Sequence, residues 1–203
     1  MLDGKDVRSY PRQELARHAA YVPQNHGVTF PYTVREAVLM GRTAYLSAFG
    51  APCAEDEAAA EDAMRRVGIA QLAARPYGSI SGGELRLVLL ARALCQQTPL
   101  ILMDEPTAHL DYRNALKLLE MIRELSKTDG ISILFATHAP DQAFFFEAGG
   151  CDVSALFLRE GVAAAKGRPG EIITERRLEE VYGVRAKILE HEGEKTILLQ
   201  KSL

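Results

Sequence analysis

The second half of the chain alternates apolar runs with helical patterns. Residues 100–103 and 131–136 are mostly apolar runs, typical of strands buried in a parallel sheet. Between them, residues 113–127 carry apolar side chains at helical spacing, which predicts a helix with one buried face. Residues 141–147 predict another helix, and residues 153–158 a third strand in the series. This alternation indicates an α/β fold with a parallel sheet.

Residues 25–97 follow a different pattern, which is almost wholly helical. Thr33 and Glu36 have the spacing of a capping box at a helix start. Ser81 can cap a longer helix further on. We therefore expect a helical subdomain over 25–97. Residues 98–203 should form the second half of the α/β core and end in a hairpin.

Composition and charge argue against several functional classes for this chain. The 203 residues are 47% hydrophobic, enough for the core of one domain. The net charge of -3, with no dense Lys/Arg block, disfavours nucleic-acid binding. No apolar run approaches the roughly 18 residues of a membrane span, and the N-terminus lacks signal-peptide features. A cytoplasmic location is expected, with three widely spaced cysteines kept reduced.

Two carboxylates, Asp104 and Glu105, directly follow the apolar run at 100–103. Ligands of open α/β sheets bind outside the carboxyl ends of strands, and an Asp there can hold Mg²⁺. Because strand side chains alternate, Glu105 is expected to point to the other side, where it can polarise an attacking water. A solvated acidic pair in a loop explains these two residues equally well.

Residues 81–84, with the sequence Ser-Gly-Gly-Glu, open the predicted helix. A helix N-terminus favours an anion, and glycines let backbone N–H groups approach it closely. A tight turn with a serine cap explains the same residues without any ligand.

Two further polar side chains follow predicted strands. His138 comes after the run at 131–136 and can hydrogen-bond a terminal phosphate. Gln24 comes after a short strand at 19–22 and can contact water or Mg²⁺. A structural histidine and a turn-capping glutamine are the alternatives when each is taken alone.

The order of five segments resembles the ABC ATPase family. The segments are Tyr-Val-Pro-Gln at 21–24, Ile-Ser-Gly-Gly-Glu at 80–84, Leu-Met-Asp-Glu-Pro-Thr at 102–107, Ala-His-Leu-Asp at 108–111 and Ala-Thr-His at 136–138. They resemble the Q-loop, signature, Walker B, D-loop and H-loop, respectively. The resemblance implies a P-loop NTPase-like α/β fold with an inserted α-helical subdomain, all within one domain over residues 1–203.

The resemblance also implies roles for the matching residues, with ATP and Mg²⁺ as cofactors. Asp104 would hold Mg²⁺, and Glu105 would be the general base. Gln24 would sense Mg²⁺ and the attacking water and link to the membrane subunit. His138 would contact the γ-phosphate of ATP.

Other implied roles involve a second copy of the subunit. Ser81, Gly82 and Gly83, with Glu84 beside them, would contact ATP held by the opposite subunit, and Asp111 would couple the two sites. Such subunits form head-to-tail homodimers on the cytoplasmic face of the membrane. They drive integral-membrane permease subunits, work indirectly with a substrate-binding protein and bind no nucleic acid.

A narrower likeness concerns the ATPases of iron-siderophore, haem and cobalamin importers. It rests on Phe-Pro-Tyr-Thr-Val at 30–34, Val-Leu-Met-Gly-Arg at 38–42, Arg-Pro-Tyr at 75–77, residues 108–113 and Val-Tyr-Gly-Val at 181–184. Packing within the helical subdomain is the alternative explanation. Soluble ABC proteins of translation or DNA repair share the five motifs, but they usually carry paired cassettes or long coiled coils, which this sequence does not show.

The sequence departs from the family where ATP phosphates are gripped. The 203 residues contain no Gly-x-x-x-x-Gly-Lys-Ser/Thr, the Walker A loop that lies before the Q-loop in this family. Only 23 residues precede Gln24, and a strand–loop–helix unit with its return strand needs about 30. We therefore expect an N-terminally truncated core with exposed apolar sheet faces. A truncated gene, a misplaced start codon and a subunit completed by another chain all remain open, as does a non-catalytic fragment unable to bind ATP alone.

A smaller departure follows the signature. Arg86 and Leu87 stand where the family usually has Gln and Arg. The positioning of the signature helix is therefore expected to differ in detail from that of the family.

Overall fold

The computed structural model describes residues 1–2, 4–24, 31–47 and 50–202. Phe30, the first residue of the importer-like segment at 30–34, lies outside this part of the chain. The chain divides into two compact units, Met1–Thr137 and His138–Leu203. The subdomain limits expected from the sequence, 25–97 and 98–203, stay predictions.

The first unit contains a parallel sheet of three strands in the order β1-β2-β3. The strands are β1 (Ala19–Val22), β2 (Leu100–Asp104) and β3 (Ser132–Ala136). Val22 lies beside Met103, and Asp104 lies beside Ala136. The carboxyl ends of all three strands therefore meet at one edge of the sheet, and the α/β fold predicted from the alternating pattern is confirmed.

The two faces of this sheet differ in burial. Ala20 and Val22 of β1 are buried on the same face as Ile101 and Met103 of β2. On the opposite face, Tyr21 is 54% exposed and Leu134 is 63% exposed. The prediction that 131–136 forms a strand buried on both faces is wrong, because β3 is exposed at every second residue. Apolar runs do not by themselves show what covers each face.

Four α-helices precede β2 among the residues of the first unit that the structure describes. They are α1 (Arg12–His18), α2 (Val34–Leu39), α3 (Ala54–Arg66) and α4 (Gly82–Cys95). The predicted capping box of α2 is confirmed, since Thr33 Oγ1 accepts from the N–H of Glu36 and Glu36 Oε2 accepts from the N–H of Thr33 at 2.7 Å. The turn after α2 packs so closely on α4 that Gly41 has no room for a Cβ.

Helix α5 (Tyr112–Thr128) links β2 to β3 and confirms the helix predicted at 113–127. Asp111 caps its N-terminus, and the Asp111 side chain accepts from the N–H of Asn114 at 2.8 Å. Its buried face consists of Leu118, Leu119, Ile122 and Leu125. Three of them, Leu118, Leu119 and Ile122, have with Ala115 the i, i+3, i+4, i+7 spacing from which the sequence indicated a helix here.

The second unit consists of short helices and two antiparallel hairpins. Its elements are α6 (Asp141–Ala148), β4 (Ala155–Arg159), β5 (Val162–Gly167), α7 (Pro169–Ile172), α8 (Glu175–Tyr182), β6 (Val184–His191) and β7 (Glu194–Ser202). Strand β4 pairs with β5 and β6 pairs with β7. Their core includes Phe144, Phe157, Ile172, Ile173, Leu178 and Ala186.

The strand predicted at 153–158 was expected to continue the parallel series, and this expectation is wrong. Glu160 and Gly161 both have positive φ, 51° and 79°, which is the geometry of a two-residue hairpin turn. This turn folds β5 back against β4 as an antiparallel partner. The same geometry at Glu192 and Gly193 forms the terminal hairpin that the sequence predicted. Within the part of the chain that the structure describes, no helix has the length and hydropathy needed to span a membrane.

Candidate functional site

The carboxyl edge of the sheet carries three of the predicted site residues. Gln24 lies two residues after β1, Asp104 is the last residue of β2, and Glu105 follows it. Asp104 is half-buried, and Tyr21 Oη lies 3.4 Å from its Oδ2. The parallel register therefore places a carboxamide and two carboxylates at the ends of neighbouring strands, and their roles at this edge stay predictions.

Glu105 does not continue the extended strand. Its φ is 45°, in the left-handed region that residues other than glycine seldom occupy. Its N–H still donates to the carbonyl of Ala136 at 3.0 Å, and its own carbonyl accepts from the N–H of Ala108 at 3.1 Å. Strand alternation therefore does not set the direction of the Glu105 side chain, because the residue lies in a turn, and the expectation that it faces away from Asp104 stays a prediction. Sparsely populated backbone conformations of this kind cluster at functional sites.

The signature segment forms the first turn of α4. Ser81 caps the helix, its Oγ accepting from the N–H of Glu84 at 3.3 Å, while Glu84 Oε2 accepts from the N–H of Ser81 at 2.7 Å. The helix geometry gives the N–H groups of Gly82 and Gly83 no intrahelical partner. The segment is thus suited to receive an anion at the helix start.

Glu84 stays ionised because of these contacts. The N–H and the hydroxyl of Ser81 lower the pKa of Glu84, and Arg75, whose Nη1 lies 3.5 Å from Glu84 Oε1, adds to the effect. A fixed carboxylate in the first turn stabilises the helix through its dipole. Glu84 therefore serves the helix start directly, and its predicted contact with a nucleotide stays a prediction.

Asp111 holds the first turn of α5. Its Oδ1 accepts from the N–H of Asn114 and its Oδ2 from Asn114 Nδ2, both at 2.8 Å. A Cβ on Gly83 would lie 3.2 Å from the same Nδ2, so the starts of α4 and α5 pack closely. The structure thus brings the segments of two predicted nucleotide-contacting residues, Gly83 and Asp111, together.

His138 is exposed and is the first residue of the second unit. It follows β3 by two residues along the chain. Its predicted contact with the γ-phosphate stays a prediction.

Sequence reasoning did not assign Arg86 to the site, although the residue stood out as a departure from the family. Arg86 is only 8% exposed. Its Nη1 donates to the carbonyl of Pro23 at 2.9 Å, and its Nη2 lies 3.5 Å from the carbonyl of Ala108. Burial lowers the pKa of Arg86, and the negative charge of Asp104 opposes this effect. The signals in the sequence were this departure and a charged residue within a largely apolar helix.

Comparison with known proteins tests the family that the motifs resemble. The sequence pattern of the family described as ABC transporter matches residues 1–108, which is more than half of the chain. The chain belongs to the ABC transporter ATP-binding family. The P-loop NTPase-like fold class expected from the sequence is confirmed with it.

Several curated relatives of this ABC protein align along most of its length. An uncharacterized ABC transporter ATP-binding protein of Haemophilus influenzae is 39% identical over 92% of the chain and 68% of its own length. The hemin import ATP-binding protein of Streptomyces coelicolor is 40% identical over 93% and 64%. The cobalamin import ATP-binding protein of Halobacterium salinarum is 36% identical over 93% and 46%. The chain thus spans between 46% and 68% of the length of these relatives.

A solved structure of an ABC transporter described as of metal-chelate type, in an inward-facing conformation, superimposes on this ABC protein with a TM-score of 0.80. The sequence identity is 28%, and the match covers 90% of this chain and 71% of the other. The fold thus agrees with that of an ABC transporter.

Proposed function

We propose that this ABC protein acts as the ATP-hydrolysing subunit of an importer for metal chelates, of the iron-siderophore, hemin or cobalamin class. The observation that carries the proposal is the carboxyl edge of the sheet, where Gln24, Asp104 and Glu105 lie on neighbouring strand ends. A helix start suited to a phosphate, at residues 81–84, belongs to the same unit. Together these groups cover part of what ATP hydrolysis needs, namely metal binding, proton transfer and a phosphate contact, whereas the Walker A loop is absent from the 203 residues.

Asp104 and Glu105 divide the chemistry in this proposal. Asp104 is a half-buried carboxylate at a strand end, and Gln24 adds an amide oxygen at the next strand. Mg²⁺ commonly uses one or two carboxylates together with substrate phosphates and water, so this donor set fits it. Among the described residues, no group of three His, Cys, Asp or Glu side chains is placed to hold a metal. The magnesium ion would supply charge neutralisation at the phosphates.

Glu105 would accept a proton from the water that attacks the γ-phosphorus, while the bond to the ADP oxygen breaks. Its backbone is fixed on both sides by hydrogen bonds with Ala136 and Ala108. A general base needs such fixed placement because proton transfer depends on hydrogen-bond reach. His138 would contact the γ-phosphate in the same reaction.

The remaining roles require a second copy of the subunit. Ser81, Gly82 and Gly83, with Glu84 fixing their helix turn, would contact ATP held by the opposite subunit, and Asp111 would couple the two sites. The packing of the starts of α4 and α5 supports this coupling, since Gly83 lies against Asn114, and Asn114 is hydrogen-bonded to Asp111. The homodimer would drive permease subunits from the cytoplasmic face of the membrane. A substrate-binding protein would be an indirect partner.

The substrate class rests on relatives whose names describe hemin import and cobalamin import. The segments at 38–42 and 75–77 support it, because they carry the likeness to importers of this class in the sequence itself. In the structure both belong to the packing around α2, where the N–H of Val34 donates to the carbonyl of Arg75 at 3.0 Å.

The substitution Glu105→Gln tests the catalytic assignment in the subunit assembled with its permease. The change keeps the shape of the side chain and removes the base. We expect ATP hydrolysis to fall by about a hundredfold or more while nucleotide binding is retained. Glu120→Gln, the same change at an exposed position of α5, is the matched control and should leave hydrolysis unchanged. Hydrolysis that survives Glu105→Gln would exclude Glu105 as the base.

A second candidate is a non-catalytic fragment that cannot bind ATP alone. It is favoured by the lack of a Gly-x-x-x-x-Gly-Lys-Ser/Thr segment within the 203 residues. It predicts that the isolated chain shows no saturable binding of Mg-ATP by calorimetry. Measurable binding would remove this candidate.

A further inference from the structure

One buried cation touches both of the loops that flank the predicted catalytic carboxylates. Arg86 lies in the second turn of α4, beyond the signature residues, and is only 8% exposed. Its guanidinium group meets the carbonyls of Pro23 and Ala108. Neither acceptor is a carboxylate, so its charge is balanced by backbone dipoles and by the field of Asp104. A long cation is kept out of water in this way only where its hydrogen bonds fix it in place.

The two carbonyls belong to segments of different predicted roles. Pro23 immediately precedes Gln24 and follows β1. Ala108 lies in the turn between Glu105 and Asp111, which is closed by hydrogen bonds from the N–H of Ala108 to Glu105 and from the N–H of Leu110 to Thr107. The planar guanidinium group of Arg86 on α4 therefore contacts both the segment that resembles the Q-loop and the first residue of the segment that resembles the D-loop.

We propose that Arg86 is a positioning residue that ties the signature helix α4 to the segments carrying Gln24 and Asp111. The inference rests on the proposed ATPase function for its catalytic consequence. Because the guanidinium group is rigid and planar, a displacement of α4 moves both carbonyls together. A glutamine, which the family resemblance implies for this position, has one short carboxamide and cannot present the same fork.

Amide hydrogen exchange on the chain itself tests the mechanical part without any nucleotide. In Arg86→Met, which keeps length and burial but no donor, we expect the N–H groups of Ala108 and Leu110 to exchange about tenfold faster. This is the change for loss of one hydrogen bond to a charged donor. Strands β2 and β3 and helix α3 serve as internal controls and should keep their protection.

Arg86→Lys separates the fork from the charge. A lysine keeps the positive charge but offers a single ammonium in place of the planar fork. We expect the N–H groups of Ala108 and Leu110 in Arg86→Lys to exchange faster than in the parent and more slowly than in Arg86→Met. If Arg86→Met does not fold, the exchange rates of Arg86→Lys alone test the positioning role. Protection equal to the parent in Arg86→Lys, or an equal loss of protection in the turn, the sheet and α3, would overturn the proposal in favour of simple packing.

Steady-state hydrolysis in the subunit assembled with its permease tests the catalytic part. Misplacement of the catalytic segments should lower kcat by about tenfold to a hundredfold and leave KM for ATP unchanged. If the parent hydrolyses ATP and Arg86→Met keeps the parental kcat, the positioning role is refuted while the ATPase function stands. If the parent hydrolyses no ATP, the proposed function fails, and the exchange measurement still decides the role of Arg86.

Discussion

The close approach of Gly41 to α4 leads to a quantitative stability prediction. A Cβ at position 41 would lie 2.3 Å from the carbonyl oxygen of Arg92 and 3.2 Å from both Cys95 Cβ and the backbone nitrogen of Gln96. Carbon and oxygen atoms ordinarily stay about 3.3 Å apart at the closest. In Gly41→Ala the two backbones must therefore separate by about 1 Å.

This separation costs folding free energy. Overpacking of a well-filled region costs about 1–3 kcal/mol. The upper part of that range applies here, because the obstructing atoms belong to a helix backbone that already binds the N–H of Gln96 through the same carbonyl of Arg92. A loss of about 2–3 kcal/mol corresponds to a fall in Tm of about 4–12 °C for a chain of this size.

Thermal unfolding followed by circular dichroism measures the effect. Gly82→Ala is the matched control, because nothing lies within 4 Å of the position that its Cβ would take. Its Tm should not fall and should rise by at most about 4 °C, since alanine is favoured over glycine in a helix by at most about 1 kcal/mol. A Gly41→Ala variant as stable as the parent would refute the claim that this turn and α4 pack at contact distance.

Two further predictions concern acidity and self-association. Because its folded pKa is lowered, Glu84 contributes stability that is fully present above its unfolded pKa of about 4.3 and is lost as the pH falls through the folded value. The free energy of unfolding of Glu84→Gln should therefore be lower than that of the parent at about pH 6, and the difference should shrink as the pH falls to about 3. Urea titrations that give the same difference at both pH values would contradict this. Leu134→Thr should weaken concentration-dependent self-association in sedimentation velocity, because it removes an exposed leucine beside Leu102 on the open sheet face. The control Leu116→Thr, at an exposed position of α5, should not, and equal effects of the two changes would reject that face as the cause.

Features set by local sequence were predictable. The capping box at Thr33 and Glu36, the serine cap at Ser81 and the apolar face of α5 each depend on residues three or four positions apart. Such interactions are decided within one turn of helix, so the sequence alone indicates them. The order of the motifs likewise indicated the family without any knowledge of the fold.

Features set by distant contacts were not predictable. Strand β5 is rich in alanine, a poor strand former, and depends on the turn at Glu160 and Gly161 for its pairing. The role of Arg86 arises from carbonyls 63 and 22 positions away in the chain. The exposed side of Leu134 depends on what packs beside the sheet, which the apolar pattern of β3 does not encode.

The backbone of Glu105 sets stability and chemistry against each other. A left-handed residue with a side chain carries strain of about 1 kcal/mol or more, which glycine would relieve. Selection for a sturdier fold alone would therefore favour glycine or asparagine at this position, and selection for a proton acceptor would favour glutamate. In variants of this ABC protein that no longer need a proton acceptor, glycine or asparagine at position 105 should therefore make the fold more stable.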